Sequence, residues 1–165
     1  MIKSTIKPQT EHIAPSKPWL LRPRPLTFLM LLLLGVQFFV GIVTNLYVQV
    51  PAQHPGRDAG EYFSGVVQGV GWAVTQGPLA LQIHAILGLL LLLTALLLIV
   101  VAYTTRGRVW KIVTPIGAVG ILGAGFNGAS FINYGHDFSS LLMASGFLIA
   151  LVAYMFGIYF SQHRD

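Results

Sequence analysis

Four long apolar runs dominate this chain and leave few folds open to it. They are Leu26 to Val50, Leu79 to Tyr103, Lys111 to Ile132 and Ser139 to Phe160. A helix needs about 20 residues to cross a hydrocarbon core about 30 Å thick, and each run is long enough. The chain is 55% hydrophobic and only 9% charged, where a soluble domain is about a quarter charged. It belongs to the membrane class. The expected fold is all-α: an integral membrane antiparallel four-helix bundle with short links. Residues 26–165 form its one transmembrane domain, preceded by a basic, proline-rich tail over residues 1–25 that has little to bury.

Loop charges give a direction to the spans. Lys3, Lys7, Lys17, Arg22 and Arg24 precede the first span, Arg106, Arg108 and Lys111 join the second to the third, and Arg164 follows the fourth. The opposite side carries only Arg57, beside Asp58, Glu61 and Asp137. Both termini are therefore expected in the cytoplasm, with the protein in the cell membrane. The net charge of +5 clusters beside spans, which points to anionic lipid and not to nucleic acid. Trp19 in the tail suits the membrane interface. The chain has no cysteine, so disulfides, thiolate metal sites, iron–sulfur clusters and covalently attached haem are excluded.

The connection from Pro51 to Pro78 is long for a helix–helix link. Tyr62, Val66 and Val70 recur at helical spacing, and Asp58 with Glu61 has the spacing of a capping box. The pattern predicts a short amphipathic helix over 58–76 in the outer loop, capped by Asp58 and anchored at the interface by Trp72. Gly77-Pro78 then opens the second span. That helix either roofs what lies beneath or rests on lipid.

Small residues let membrane helices approach closely. Gly120, Ala124 and Gly128 make one smooth face of the third span. Gly146, Ala150, Ala153 and Gly157 make another on the fourth, so these two are expected to pack together. The first span carries Gln37, Gly41, Asn45 and Gln49 at steps of four, a row expected to face the bundle interior.

Laid out with alternating direction, the spans place Gln37, Asn45, Gln49, Gln82, His84, Asn127, Asn133 and His136 toward the outer side. At about 1.5 Å per residue, His84, Asn127 and Asn45 all lie about 8 Å below the outer edge. The other half of the bundle is almost wholly apolar. Polar groups in hydrocarbon are costly and often mark a site.

Four readings are open for this cluster. A b-type haem would take His84 and His136 as axial ligands to its iron. Gly88 would leave room for the macrocycle, Asn45, Asn127, Gln82 and Tyr134 would orient the imidazoles, and Arg57 would hold propionates. A quinone pocket would use His84 or His136 for proton exchange, with Trp72, Phe126, Phe131 and Tyr134 as flat contacts. A copper or zinc site would draw on His54, His84, His136 and Asp137, although His54-Pro55-Gly56 reads as a turn. Lastly, nothing is bound: the polar row locks helix register, and the chain is an accessory component beside larger membrane-complex subunits or copies of itself. No membrane-embedded acid, inverted repeat or catalytic motif is present, which argues against a pore, a carrier and a hydrolase.

Four segments carry a resemblance: GIVTNLYVQVP at 41–51, HPG at 54–56, EYFSG at 61–65 and GAGFNGASFINYGHDFSSLLMA at 123–144. They resemble a group of small bacterial four-span membrane proteins of unassigned function. The histidine-bearing four-helix layout is also similar in architecture to small membrane cytochromes b, which implies haem ligation as one expectation.

Overall fold

The computed structural model describes residues 22–105 and 107–161. In chain order the helices are α1 (Pro23–Tyr47), α2 (Tyr62–Thr75), α3 (Leu79–Tyr103), α4 (Arg108–Tyr134) and α5 (Asp137–Ser161). Hydrocarbon offers no partner to a peptide group, so each segment satisfies its backbone internally. The helices α1, α3, α4 and α5 are each long and apolar enough to cross a membrane. This is the expected four-span bundle, with α2 as the extra helix in the loop at the end remote from Arg24, Arg108 and Lys111, here called the outer end.

Helix ends differ from expectation by short stretches, each with a local cause. Helix α1 begins at Pro23 and not at Leu26. Proline fits a first turn, where its missing N–H would be unpaired anyway. Pro23 and Pro25, assigned to the tail from sequence, are thus helical. Residues 1–21, with Trp19 and three of the lysines, lie outside the described residues, as do Arg106 and Arg164. Helix α2 starts at Tyr62 and is capped by Glu61, whose carboxylate accepts from the Phe63 and Ser64 amides at 2.9 and 2.7 Å. Asp58 was the expected cap. It lies in an irregular turn ahead of Gly60, too far back to reach the first helical amides.

Helix α1 packs on α3 and α5, and α4 packs on α3 and α5, so the spans form a closed square. The α4–α5 wall is the closest. A Cβ placed on Gly120 would lie 2.6 Å from the Gly146 carbonyl oxygen, and one on Gly146 would lie 2.6 Å from the Gly120 oxygen. The two stripes read from sequence therefore do meet, backbone against backbone. Toward the basic end the same wall seats large rings on glycine. Tyr154 lies over Gly117, and Trp110 over Gly157. The main core occupies that half of the bundle, around Met30, Leu34, Leu98, Ile121 and Tyr154. Phe28, Leu32, Phe39, Leu93 and Val119 face outward, where lipid would cover them.

Helix α2 lies across the outer ends of α3 and α4. It buries Gly65, Val66, Gly69, Trp72 and Ala73, a face at helical spacing. Trp72 is thus not an interfacial anchor. It packs with Ala73 and Leu81 and against Val48, Val50, Ala85 and Ile132. The glycines on this face bring the helix axis close enough for Trp72 to reach inward. The roof position of α2 is the one realised.

Gly120→Ala should lower stability in detergent by about 1–3 kcal/mol, because the added methyl meets backbone that cannot yield. Gly123→Ala, with nothing within 4 Å of its Cβ, should be neutral or stabilising by up to about 1 kcal/mol. Thermal unfolding of the two variants against the parent checks both.

Candidate functional site at the outer end

The α1–α3 seam holds the first polar group. Gln37 Nε2 donates to the His84 backbone oxygen at 3.2 Å and lies 3.3 Å from the His84 ring Nε2. An amide nitrogen cannot accept, so the ring Nε2 takes this bond through its lone pair, which puts the imidazole proton on Nδ1. The Cε1–Nδ1 edge faces Gly41, where a Cβ would come 3.0 Å from Cε1 and 3.5 Å from Nδ1. In turn Gly88 faces Gln37, 3.6 Å from its Nε2 to an added Cβ. Each polar side chain sits on the other helix's glycine. Gln37 thus lies beside Gly88, in the space beneath His84 that was expected to admit a macrocycle. Thr44 completes the seam, its one hydroxyl proton shared between the Val40 carbonyl at 2.8 Å and the Ala80 carbonyl across the interface at 3.2 Å.

The row at steps of four does not stay on this face. Each step of four overshoots a turn by about 40°, so Asn45 is rotated about 80° from Gln37, whereas Thr44, seven residues on, is only about 20° off. Asn45 and Gln49 are accordingly exposed, and the interior line is Gln37, Gly41 and Thr44.

Two further candidates satisfy their own helix ends and segments. Asn127 donates to the Gly123 carbonyl one turn back at 2.8 Å. Gln82 donates to the Gly77 carbonyl at 2.8 Å and closes the Gly77-Pro78 turn. Neither reaches His84.

The second polar group lies under the roof. Asn133 is 1% exposed and lies against Gly65 and Gly69 of α2, where a Cβ on Gly69 would collide with its amide. Gly56, at φ +99°, fits against the same stretch, an added Cβ meeting the Gly69 nitrogen at 2.7 Å. Only glycine adopts that backbone freely and fits that gap. His54 stacks on Trp72 with ring centroids 4.8 Å apart. Its Nε2 lies 3.2 Å from the Ile132 carbonyl oxygen, in the last turn of α4 where carbonyls lack helical partners. His54 opens the expected turn, its carbonyl accepting from the Arg57 amide at 3.4 Å. Its ring also pins the loop to α4, a contact between residues 78 apart in sequence that local spacing does not encode.

His136 belongs to a third set. It stacks on Tyr134 at 6.3 Å, and Tyr134 stacks on Tyr62 at 6.4 Å. Tyr62 meets Phe63 and Phe63 meets Phe126, edge to face. The result is a strip of partly exposed rings running from α4 over the start of α2 to the α4–α5 link. Arg57 is exposed in the outer loop, and among the described residues its side chain makes no hydrogen bond or ion pair. No hydrogen bond or ring contact joins His84 to His136 among the described residues. Nor do three His, Asp or Glu side chains gather there closely enough to hold a metal ion.

Among the described residues some polar atoms stay buried without a partner: Gln37 Oε1, His84 Nδ1, both amide atoms of Asn133, and the Tyr154 hydroxyl. The first four belong to the outer half, as expected. Tyr154, 0% exposed, is the exception in the apolar half. Its only sequence signal is a tyrosine on the small-residue face of the fourth span.

The chain matches no known family, no curated protein and no solved structure.

Two outcomes test the roof. Gly69→Ala should lift α2 from Asn133, raising amide hydrogen exchange over 62–75 while α4 and α5 stay protected. The two amides bonded to Glu61 hold its carboxyl below the usual carboxylate range. The cap is therefore complete above the ordinary value and is lost as pH falls through the lowered one. The protection factors of the amides in the first turn of α2, measured against their intrinsic exchange rates, should fall over that acid range in the parent and be low at every pH in Glu61→Ala.

Proposed function

We propose that this small multi-pass membrane protein is an accessory component, non-enzymatic in itself, that works by packing beside larger membrane subunits or further copies of the chain. One observation carries the reading. The His84 ring is enclosed within the α1–α3 seam, its Nε2 bonded to Gln37 and its Nδ1 buried beside Gly41 without a hydrogen-bond partner. Iron ligation or proton exchange at His84 would need the ring to leave that seat. Three further outer polar groups meet a second element: Thr44 reaches α3, His54 reaches α4, and Asn133 packs against α2. The resemblance to small bacterial four-span proteins fits a unit of this kind.

The purified protein is expected to be colourless, and His84→Leu to fold with a loss of about 1 kcal/mol, the usual scale for an interhelical polar contact. A Soret band at about 410–430 nm that disappears in His84→Ala would establish b-type haem instead.

A second reading keeps a specific observation in its favour. The exposed strip from Phe126 to His136 offers flat faces at the interface, beside an imidazole that can exchange protons. A quinone headgroup would stack on Tyr134 and Tyr62 next to His136. Thermal stabilisation by short-chain quinones, abolished in Tyr134→Ala and retained in His84→Leu, would support this reading over the first.

The basic end is assigned to the cytoplasm. Because the chain has no cysteine, Arg57→Cys supplies a unique label. A membrane-impermeant maleimide should modify it in intact cells. Labelling only after lysis would reverse the topology.

A further inference from the structure

At the basic end a groove of about 400 Å³ opens between α1 and α5, lined by Arg24, Pro25, Phe28 and Ile158. The α1–α5 wall is the loosest of the four that close the bundle. Phe28 is 57% exposed and lends the groove a flat apolar side. At its mouth Arg24 is exposed, and among the described residues its guanidinium has no hydrogen bond or ion pair. Arg22, also exposed, precedes it. Lys111 at the same end is engaged, its ammonium 5.9 Å from the centroid of the Tyr103 ring. Every acidic residue among the described ones, Asp58, Glu61 and Asp137, belongs to the outer end.

We propose that this groove seats one anionic phospholipid, its phosphate on Arg24 and Arg22 and an acyl chain along Phe28 and Ile158. The pairing of a guanidinium that has no acidic partner among the described residues with an apolar cleft running into the hydrocarbon suits a molecule that is anionic at one end and aliphatic along its length. A protein partner would need a larger face, and a free anion would gain nothing from Phe28 and Ile158. The site is far from the outer polar groups and stands whichever reading of those groups holds.

The test uses the full chain in detergent with added lipid, followed by thermal unfolding and native mass spectrometry. Phosphatidylglycerol should raise the melting temperature and remain bound, while phosphatidylcholine with the same acyl chains should do neither. Arg24→Gln, which disturbs no buried contact, should weaken retention about fivefold, the usual contribution of one basic residue at an anionic membrane surface. Ile158→Trp keeps the charge and fills the cleft, and should weaken retention as well. Equal stabilisation by phosphatidylcholine, full stabilisation by inorganic phosphate alone, or retention unchanged in both variants would overturn the proposal.

Discussion

A side chain able to hydrogen-bond has no solvent to fall back on inside hydrocarbon. Much of the outer half of this bundle follows from that constraint. Gln37 and His84 bond each other across α1 and α3. Thr44 reaches the Ala80 carbonyl, His54 meets the end of α4, and Gln82 and Asn127 turn back onto their own segments. Asn133 is the unresolved member, wedged against glycines with neither amide atom paired. Polar contacts of this kind have one good register, whereas leucine against leucine has many. The outer groups thus fix the alignment of helices whose other half is filled with interchangeable aliphatic side chains.

Glycine makes those contacts possible. Gly41 and Gly88 form the seats for His84 and Gln37, Gly65 and Gly69 the seat for Asn133, and Gly120 and Gly146 let α4 and α5 touch through their backbones. Without a hydrophobic force between helices in lipid, such close approach supplies the dispersion that holds them. The outer roof and the apolar core therefore rest on the same device. In the core it admits large rings, as where Tyr154 lies on Gly117. At the outer end it admits polar side chains.

Much of this was legible in residue order. The four spans, the helix in the outer loop, and the meeting of the Gly120 and Gly146 stripes follow from composition and from spacings of three and four. The candidate site was legible only as a level. Depth along a helix is linear in residue number, so Gln37, His84 and Asn133 could be placed near the outer end. Azimuth is less forgiving. A drift of about 40° for each step of four carried Asn45 and Gln49 out of the seam, and brought in Thr44, which spacing by four had passed over. Trp72 shows the same limit. An aromatic residue near a surface reads as an interface anchor, until the glycines beside it let its helix sink.

The sequence by itself determined that the chain crosses a bilayer four times, where its charges gather, and which side chains would be costly in lipid. These are properties of composition and one-dimensional period, and hydrocarbon enforces them strictly. Only the tertiary structure decided which costly groups meet. It paired His84 with Gln37 across α1 and α3, left His136 on Tyr134, and laid α2 over Asn133. Such pairings depend on helix rotation and on distances between segments far apart in the chain, and local spacing carries no record of either.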